Sequence, residues 1–137
     1  MELQLFGINH KTSSVSERES FIINESNQIL LDNRFKLIFG NKLKSFFCLS
    51  TCNRTEVYIY GASGISNQVF KEVFEILGLR EIPRDKFYFL DNHDALVHMC
   101  KVASGIDSQV LGEQEIFGQF KQSLKLSLIH ISEPTRH

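Results

Sequence analysis

Short runs of alternating apolar and polar residues are separated along this chain by longer stretches with helical periodicity. Residues 2–9 alternate at first and predict an opening strand, and a Phe- and Leu-rich run at 45–51 predicts a second. The pattern at 55–60 is typical of a half-exposed strand, and another strand is predicted at 86–90. The cysteine-bearing segment between the second and third strands is therefore predicted to be a tight connection.

The helical patterns have recognisable beginnings and ends. Ser16 and Glu19 have the spacing of a capping box, so we expect a helix to begin there. With a break near Asn24, this helical pattern continues to Gly40, which suits a helix C-cap. Three further helices are predicted: an amphipathic one capped by Ser66 and ending before Gly78, one following Asp91-Asn92 and reaching about Ser104, and one from Glu113 to about Leu126.

The order β-α-β-β-α-β, followed by helices, predicts the fold class. We expect an α+β, ferredoxin-like sandwich with a mainly antiparallel sheet and additional C-terminal helices. With 137 residues and 42% hydrophobic content, the chain is the size of one domain. We assign that domain to residues 1–126, because the tail at 127–137 resembles translated sequencing-adapter read-through and is expected to be non-native.

Charge and cysteine content narrow the class of protein. Fifteen basic and sixteen acidic residues give a net charge of -1, so no global positive field favours nucleic acid or an anionic membrane. Any RNA contact would have to come from a local surface or a partner domain. Three cysteines favour a reducing compartment, and the absence of an apolar run of about 20 residues or a signal-peptide pattern favours a cytoplasmic protein with no membrane contact.

Cys52 is the strongest candidate for chemistry. It lies in the polar segment Ser-Thr-Cys-Asn-Arg between two predicted strands, and Arg54 provides a cation that would favour the thiolate. Cysteines beside strands are more often buried apolar residues, and Cys48, within a Phe- and Leu-rich run, fits that interpretation better. Cys52 is thus a candidate nucleophile.

A zinc site is the main alternative, because Cys48, Cys52, His98 and Cys100 are all ligand types. On an unbroken strand, at roughly 3.3 Å per residue, the first two would lie about 13 Å apart, too far for one ion. On a helix, at about 100° per residue, His98 and Cys100 would point in nearly opposite directions. The spacing therefore predicts no metal site.

His98 lies outside the apolar stripe that Leu96, Cys100 and Ala103 would form on their helix. It is either an ordinary surface histidine or a general acid/base near the thiol, a role that imidazole performs well near neutral pH. The small and polar residues from Ser104 to Glu113 suit an anion-binding loop before a helix, or simple punctuation between two helices.

Four segments together resemble glutamyl-tRNA reductase, and the resemblance covers about residues 2–126. They are Gly-Ile-Asn-His-Lys-Thr at 7–12 with Val15 and Arg18-Glu19, Leu-Ser-Thr-Cys-Asn-Arg-Thr-Glu-Val-Tyr at 49–58, His98 with Val-Ala-Ser-Gly-Ile-Asp-Ser-Gln-Val-Leu-Gly-Glu at 102–113, and Ile-Phe-Gly-Gln-Phe-Lys at 116–121. Each segment is weak evidence alone, but their order and spacing make the combination specific.

The resemblance implies an NADPH-dependent oxidoreductase that catalyses the first step of tetrapyrrole (porphyrin) synthesis from glutamate. Cys52 matches the family's nucleophile, which takes the glutamyl group from tRNA as a thioester before reduction to glutamate-1-semialdehyde. His98 matches a histidine important for activity. The positions that match substrate contacts are Thr51, Asn53, Arg54, Ser108, Glu113, Gln114, Glu115 and Gln119.

Two of these substrate positions have a particular interpretation. Arg54 could hold a glutamate carboxylate in a bidentate pair or could help to keep Cys52 ionised. Glu115 stands where the family commonly has Gln, so the chain departs from the family pattern at that contact.

The family also has an NADPH-binding Rossmann domain and a helical dimerisation domain, and this chain contains no Gly-x-Gly-x-x-Gly sequence. We therefore expect both domains to be absent and reduction to be beyond this chain alone. The expected partners are glutamyl-tRNA, a second subunit in the full-length homodimer and glutamate-1-semialdehyde aminomutase. The alternatives are a non-catalytic RNA-binding or interaction module and a small thiol-dependent thioesterase.

Overall fold

The computed structural model describes residues 1–105 of the chain. The predicted helix at 113–126, the tail at 127–137 and the site candidates Ser108, Glu113, Gln114, Glu115 and Gln119 lie outside the described residues. In chain order, the elements are β1 (Glu2–Asn9), α1 (Val15–Ser20), α2 (Glu25–Phe39), β2 (Leu43–Ser50), β3 (Arg54–Gly61), α3 (Ser66–Leu77), β4 (Tyr88–Asp91) and α4 (Asn92–Ala103), with short 3-10 turns at Gly40–Lys42 and Arg84–Lys86.

The four strands of the described residues form one sheet in the order β2-β3-β1-β4. All three neighbouring pairs are antiparallel. This is the strand order of a ferredoxin-like fold, so the predicted α+β class with an antiparallel sheet is confirmed. Cys52 lies in the connection between the edge strand β2 and the central strand β3, and the end of β1 pairs with the start of β3 next to it, Asn9 opposite Arg54.

One face of the sheet packs against α2 and α3. Helix α2 contributes Leu31, Phe35 and Phe39, whose spacing of four residues places them on one side of the helix. Helix α3 contributes Val69, Phe70 and Val73. These residues form one buried cluster with alternate residues of the strands, namely Phe6, Ile8, Cys48, Val57 and Ile59. The core therefore lies between this sheet face and the two helices.

The predicted half-exposed character of β3 was wrong. Seven of its eight residues are buried, including the charged residues Arg54 and Glu56. A central strand has neighbours on both edges, so alternating polar residues can be buried when they pair with each other. The polar half of this strand is an internal hydrogen-bonded cluster.

Two predicted helix caps were also wrong. The capping box that begins α1 joins Ser14 to Glu17, two residues before the predicted Ser16–Glu19 pair. Helix α3 has no side-chain cap from its own N-terminal segment. Its first amide, that of Ser66, is instead bound by the buried Gln4 side chain of β1, at 2.9 Å.

Residues 1–96 form one compact unit, and a second unit begins at Val97, within α4. On α4, Ala95 and Met99 are buried, whereas Leu96 is 46% exposed and Cys100 is also exposed. The predicted Leu96–Cys100 stripe was therefore wrong by about one position. Over residues 1–105, none of the helices combines the length and the apolar character that a membrane crossing requires.

Candidate active site at the β2–β3 hairpin

Cys52 is exposed at the tip of the hairpin that joins β2 to β3. Strand pairing continues to Ser50 and Thr55, and the amide of Thr51 then donates a hydrogen bond to the carbonyl of Arg54 at 2.8 Å. The Thr51 hydroxyl accepts a bond from the amide of Asn53 at 3.1 Å. These bonds order the backbone on both sides of the cysteine and leave its side chain accessible.

The segment after β1 packs against this hairpin tip. The amide of His10 donates to the carbonyl of Asn53 at 2.9 Å. Asn9 folds the segment into a turn, because its side-chain oxygen accepts bonds from the amides of Lys11 and Thr12. The Gly-Ile-Asn-His-Lys-Thr segment therefore supports the cysteine loop from the adjacent strand end.

Arg18 makes a second bridge to the cysteine loop. Its Nε donates to the carbonyl oxygen of Cys52 at 3.2 Å, and its Nη1 donates to the carbonyl oxygen of Ser13 at 2.7 Å. The guanidinium thus joins α1, the turn before it and the hairpin tip. This cation is anchored directly to the backbone of the candidate nucleophile.

A buried polar cluster lies on β3 next to the hairpin. Arg54 is 4% exposed and Glu56 is fully buried, with Arg54 Nη1 and Glu56 Oε2 3.5 Å apart. The hydroxyl of Tyr58 donates to Glu56 Oε1 at 2.7 Å, and the hydroxyl of Tyr88 donates to Glu56 Oε2 at 2.5 Å. The carboxylate therefore has a cation and two hydroxyl donors around it, as a buried charge requires.

The two tyrosines remain protonated donors throughout the physiological pH range. Burial raises the pKa of Tyr58 well above its usual value, and the adjacent Glu56 carboxylate raises it further. The pKa of Tyr88 is raised by the same two causes in the same order. The Arg54 cation and the Asn9 side chain act in the opposite direction on the pKa of Tyr88, by smaller amounts.

The other two cysteines differ from Cys52. Cys48 is buried in the core, and burial raises the pKa of its thiol to about 12, which makes it a poor nucleophile. Cys100 is exposed on α4 and belongs to the second unit. Within residues 1–105, no three His, Cys, Asp or Glu side chains are grouped as a metal site would require.

The structure brings together part of the predicted site. Thr51, Cys52, Asn53 and Arg54 share one hairpin, with Arg54 directed into the buried cluster. His98 is partly buried on α4, in the second unit. The catalytic roles of Cys52 and His98 and the substrate contacts of the other residues stay predictions.

Sequence reasoning missed Glu56, Tyr88 and the contact of Arg18 with the hairpin. The sequence does contain a signal for Glu56, because Arg54, Glu56 and Tyr58 are spaced two residues apart and must share one face of a strand. The contributions of Tyr88 and Arg18 depend on strand order and helix docking. Neither has a local signature in the sequence.

By fold and site, this is an α+β domain of ferredoxin-like topology that presents an exposed thiol on a hydrogen-bonded hairpin. Residues 6–130 match the family described as "Glutamyl-tRNAGlu reductase, N-terminal domain". The chain belongs to this family, and the resemblance predicted from the four segments is confirmed.

Individual relatives agree with this assignment. The glutamyl-tRNA reductase of Wigglesworthia glossinidia brevipalpis is 38% identical over 136 residues, covering 93% of this chain and 31% of that protein. The glutamyl-tRNA reductase of Nitrosococcus oceani is also 38% identical, over 129 residues, 93% of this chain and 30% of that protein. The chain thus spans less than a third of the length of these curated relatives.

A solved structure has the same fold. The structure described as glutamyl-tRNA reductase from Methanopyrus kandleri superposes with a TM-score of 0.60 at 27% sequence identity. The match covers 90% of this chain and 27% of that chain.

Proposed function

We propose that Cys52 accepts the glutamyl group of glutamyl-tRNA as a thioester, the first half of the glutamyl-tRNA reductase reaction. The observation that carries the proposal is the exposure of the Cys52 thiol on a hairpin held by backbone and side-chain hydrogen bonds, while Cys48 is buried. Membership of the family and the names of the relatives support the choice of substrate.

In the proposed step, the Cys52 sulfur forms a bond to the carbonyl carbon of the glutamyl ester. The bond from that carbon to the ribose oxygen of tRNA then breaks, and the oxygen leaves with a proton. We propose that His98 supplies this proton or positions the ester. A thioester has weaker resonance stabilisation than an oxygen ester, so sulfur prepares the acyl group for reduction.

The hairpin neighbours are the proposed recognition elements. Thr51 and Asn53 already hold the loop through their own hydrogen bonds. Arg54 is buried beside Glu56, which supports an electrostatic role from within the domain rather than a bidentate contact at the surface. Ser108, Glu113, Gln114, Glu115 and Gln119 remain proposed substrate contacts.

The described residues do not fit a dinucleotide cofactor. Their sheet is antiparallel, whereas a Rossmann site requires a parallel β-α-β unit with a glycine-rich turn at the helix N-terminus. We therefore assign the NADPH that the family implies to a site outside the described residues, and the chemistry that we propose for these residues ends at the thioester. A homodimer, an aminomutase partner and a cytoplasmic location belong to the same proposal for the whole protein.

The experiment follows labelled glutamate from glutamyl-tRNA to protein. The full chain is mixed with the charged tRNA and quenched in acid, in parallel with Cys52→Ser and with Cys100→Ser as the matched control for an exposed thiol. We expect protein-bound label with the original chain and with Cys100→Ser, and none with Cys52→Ser. Equal labelling of all three chains would refute the assignment of Cys52.

A small thioesterase also fits an exposed thiol, so the same three chains are tested with a simple acyl thioester. Rapid turnover of that compound, together with no transfer from glutamyl-tRNA, would favour the thioesterase. We expect the opposite preference, because the family assignment points to an aminoacyl-tRNA ester.

A further inference from the structure

Arg18 connects the backbone of Cys52 to the turn before α1. Its guanidinium is planar, permanently charged and able to donate along two directions at once. Here, one direction leads to the carbonyl of Cys52 and the other to the carbonyl of Ser13. The first bond fixes the peptide plane that follows the Cα atom carrying the thiol.

The segment that carries Arg18 is itself anchored. Helix α1 begins with the reciprocal Ser14–Glu17 capping box, at 2.8 and 3.1 Å. The turn before it is closed by a 2.6 Å bond from the Ser13 hydroxyl to the carbonyl of Asn9. Arg18 therefore projects from a supported position and acts on the more exposed hairpin tip.

We propose that Arg18 is a positioning residue for the thiol chemistry of Cys52: it fixes the peptide after Cys52 and holds a permanent positive charge against the carbonyl of that residue. The inference rests on Cys52 being the nucleophile of the proposed function. It assigns to α1 the bond to the Cys52 carbonyl, whereas the hairpin's own bonds hold Thr51, Asn53 and Arg54.

The test is the rate of Cys52 alkylation by iodoacetamide between about pH 6 and 10, where thiols ionise. All chains carry Cys100→Ser, which removes the other exposed thiol, while Cys48 is protected by burial. The variants are Arg18→Gln, which removes the charge, and Arg18→Lys, which retains it without the two-directional fork. Arg34→Gln is the matched control, because Arg34 lies on α2 and pairs with Glu72.

We expect Arg18→Gln to lower the alkylation rate at neutral pH about three- to tenfold, as the loss of a positive charge held against the Cys52 peptide predicts. Arg18→Lys should restore the profile in large part, and Arg34→Gln should leave it unchanged. An unchanged profile in folded Arg18→Gln would overturn the inference, even if its melting temperature fell. If Arg18→Gln does not fold, the comparison uses Arg18→Lys instead. An alkylation rate close to that of the parent chain supports the inference, and a rate equal to that of the chain unfolded in denaturant overturns it.

The outcome of this test can be distinguished from the outcome of the test of the proposed function. Alkylation that depends on Arg18, without acyl transfer from glutamyl-tRNA, would retain the positioning role and reject the substrate. Acyl transfer to Cys52, with alkylation independent of Arg18, would retain the function and reject the positioning role.

Discussion

The carboxylate of Glu56 on β3 reaches across the backbone of β1 to accept a hydrogen bond from the hydroxyl of Tyr88 on β4. Gly7 is the residue of β1 that pairs with both of them. A Cβ atom at Gly7 would lie 2.4 Å from the Thr55 carbonyl oxygen and 2.8 Å from Glu56 Cγ. Glycine therefore leaves the space through which the buried carboxylate connects three strands beside the cysteine hairpin.

Glu56→Gln should lower the free energy of unfolding by about 3–5 kcal/mol, because it leaves the buried Arg54 cation without its carboxylate. The amide also offers one oxygen where the carboxylate offered two, so the Tyr58 and Tyr88 hydroxyls cannot both be accepted as before. Urea unfolding measures the loss. Glu72→Gln is the control, because Glu72 pairs with the half-exposed side chain of Arg34. Loss of this pair should lower the free energy of unfolding by less than about 1 kcal/mol. Equal costs for the two variants would contradict the account.

Gly7→Ala should destabilise the fold by about 1–3 kcal/mol or more, because the new methyl group meets strand backbone that cannot move aside cheaply. It should also change the near-ultraviolet circular dichroism of the tyrosines by displacing Glu56. Gly64→Ala provides the comparison, since a Cβ atom there meets nothing within 4 Å and only its φ of +76° is unfavourable. An unchanged tyrosine spectrum in Gly7→Ala would contradict the passage of the Glu56 side chain over the backbone of Gly7.

Gln4→Ala should cost about 1–3 kcal/mol, because it leaves buried partners without hydrogen bonds. Gln4 Nε2 donates to the carbonyl of Ala62 at 2.8 Å, and Gln4 Oε1 accepts from the amide of Ser66 at 2.9 Å. Hydrogen exchange of the Ser66 amide should accelerate selectively. Gln68→Ala, at an exposed position of the same helix, should change stability by less than about 0.5 kcal/mol. Slow exchange at Ser66 in Gln4→Ala would mean that α3 is capped in another way.

Glu17 should titrate below its ordinary value of 4.5, since the hydrogen bond from the Ser14 amide lowers the pKa of its carboxyl. A lowered folded-state pKa means that the stabilisation is complete above the unfolded value and is lost as the pH falls through the folded value. The side-chain carboxyl shift of Glu17, followed by NMR against pH, measures this directly. Ser14→Ala should weaken the box and return the midpoint toward 4.5. A midpoint at or above 4.5 in the original chain would exclude an ionised capping box.

The strands and the fold class could be predicted because alternation and turn residues are local signals. Caps were less predictable, since Ser14-x-x-Glu17 and Ser16-x-x-Glu19 have the same spacing, and only the folded chain, in which Arg18 reaches Cys52, distinguishes them. Ser66 could not be excluded as a cap from sequence, because its replacement, Gln4, lies 62 positions earlier.

The candidate site, like the fold, could be predicted only in part from the sequence. Cys52 was found because a polar segment interrupts two strand patterns, and the structure places it at an exposed hairpin tip. Glu56 was overlooked because a carboxylate in an alternating strand suggests solvent exposure, whereas β3 is central and its polar side chains pair internally. Burial of that kind depends on which strands become neighbours, which alternation alone does not specify.

The most direct test of the central claim is intact-mass and peptide analysis of the full chain after acid quenching of its reaction with glutamyl-tRNA. The account predicts one added glutamyl group, located on the peptide that contains Cys52 and absent from Cys52→Ser. A glutamyl group on the Cys100 peptide, or no adduct on a folded chain supplied with intact charged tRNA, would contradict it.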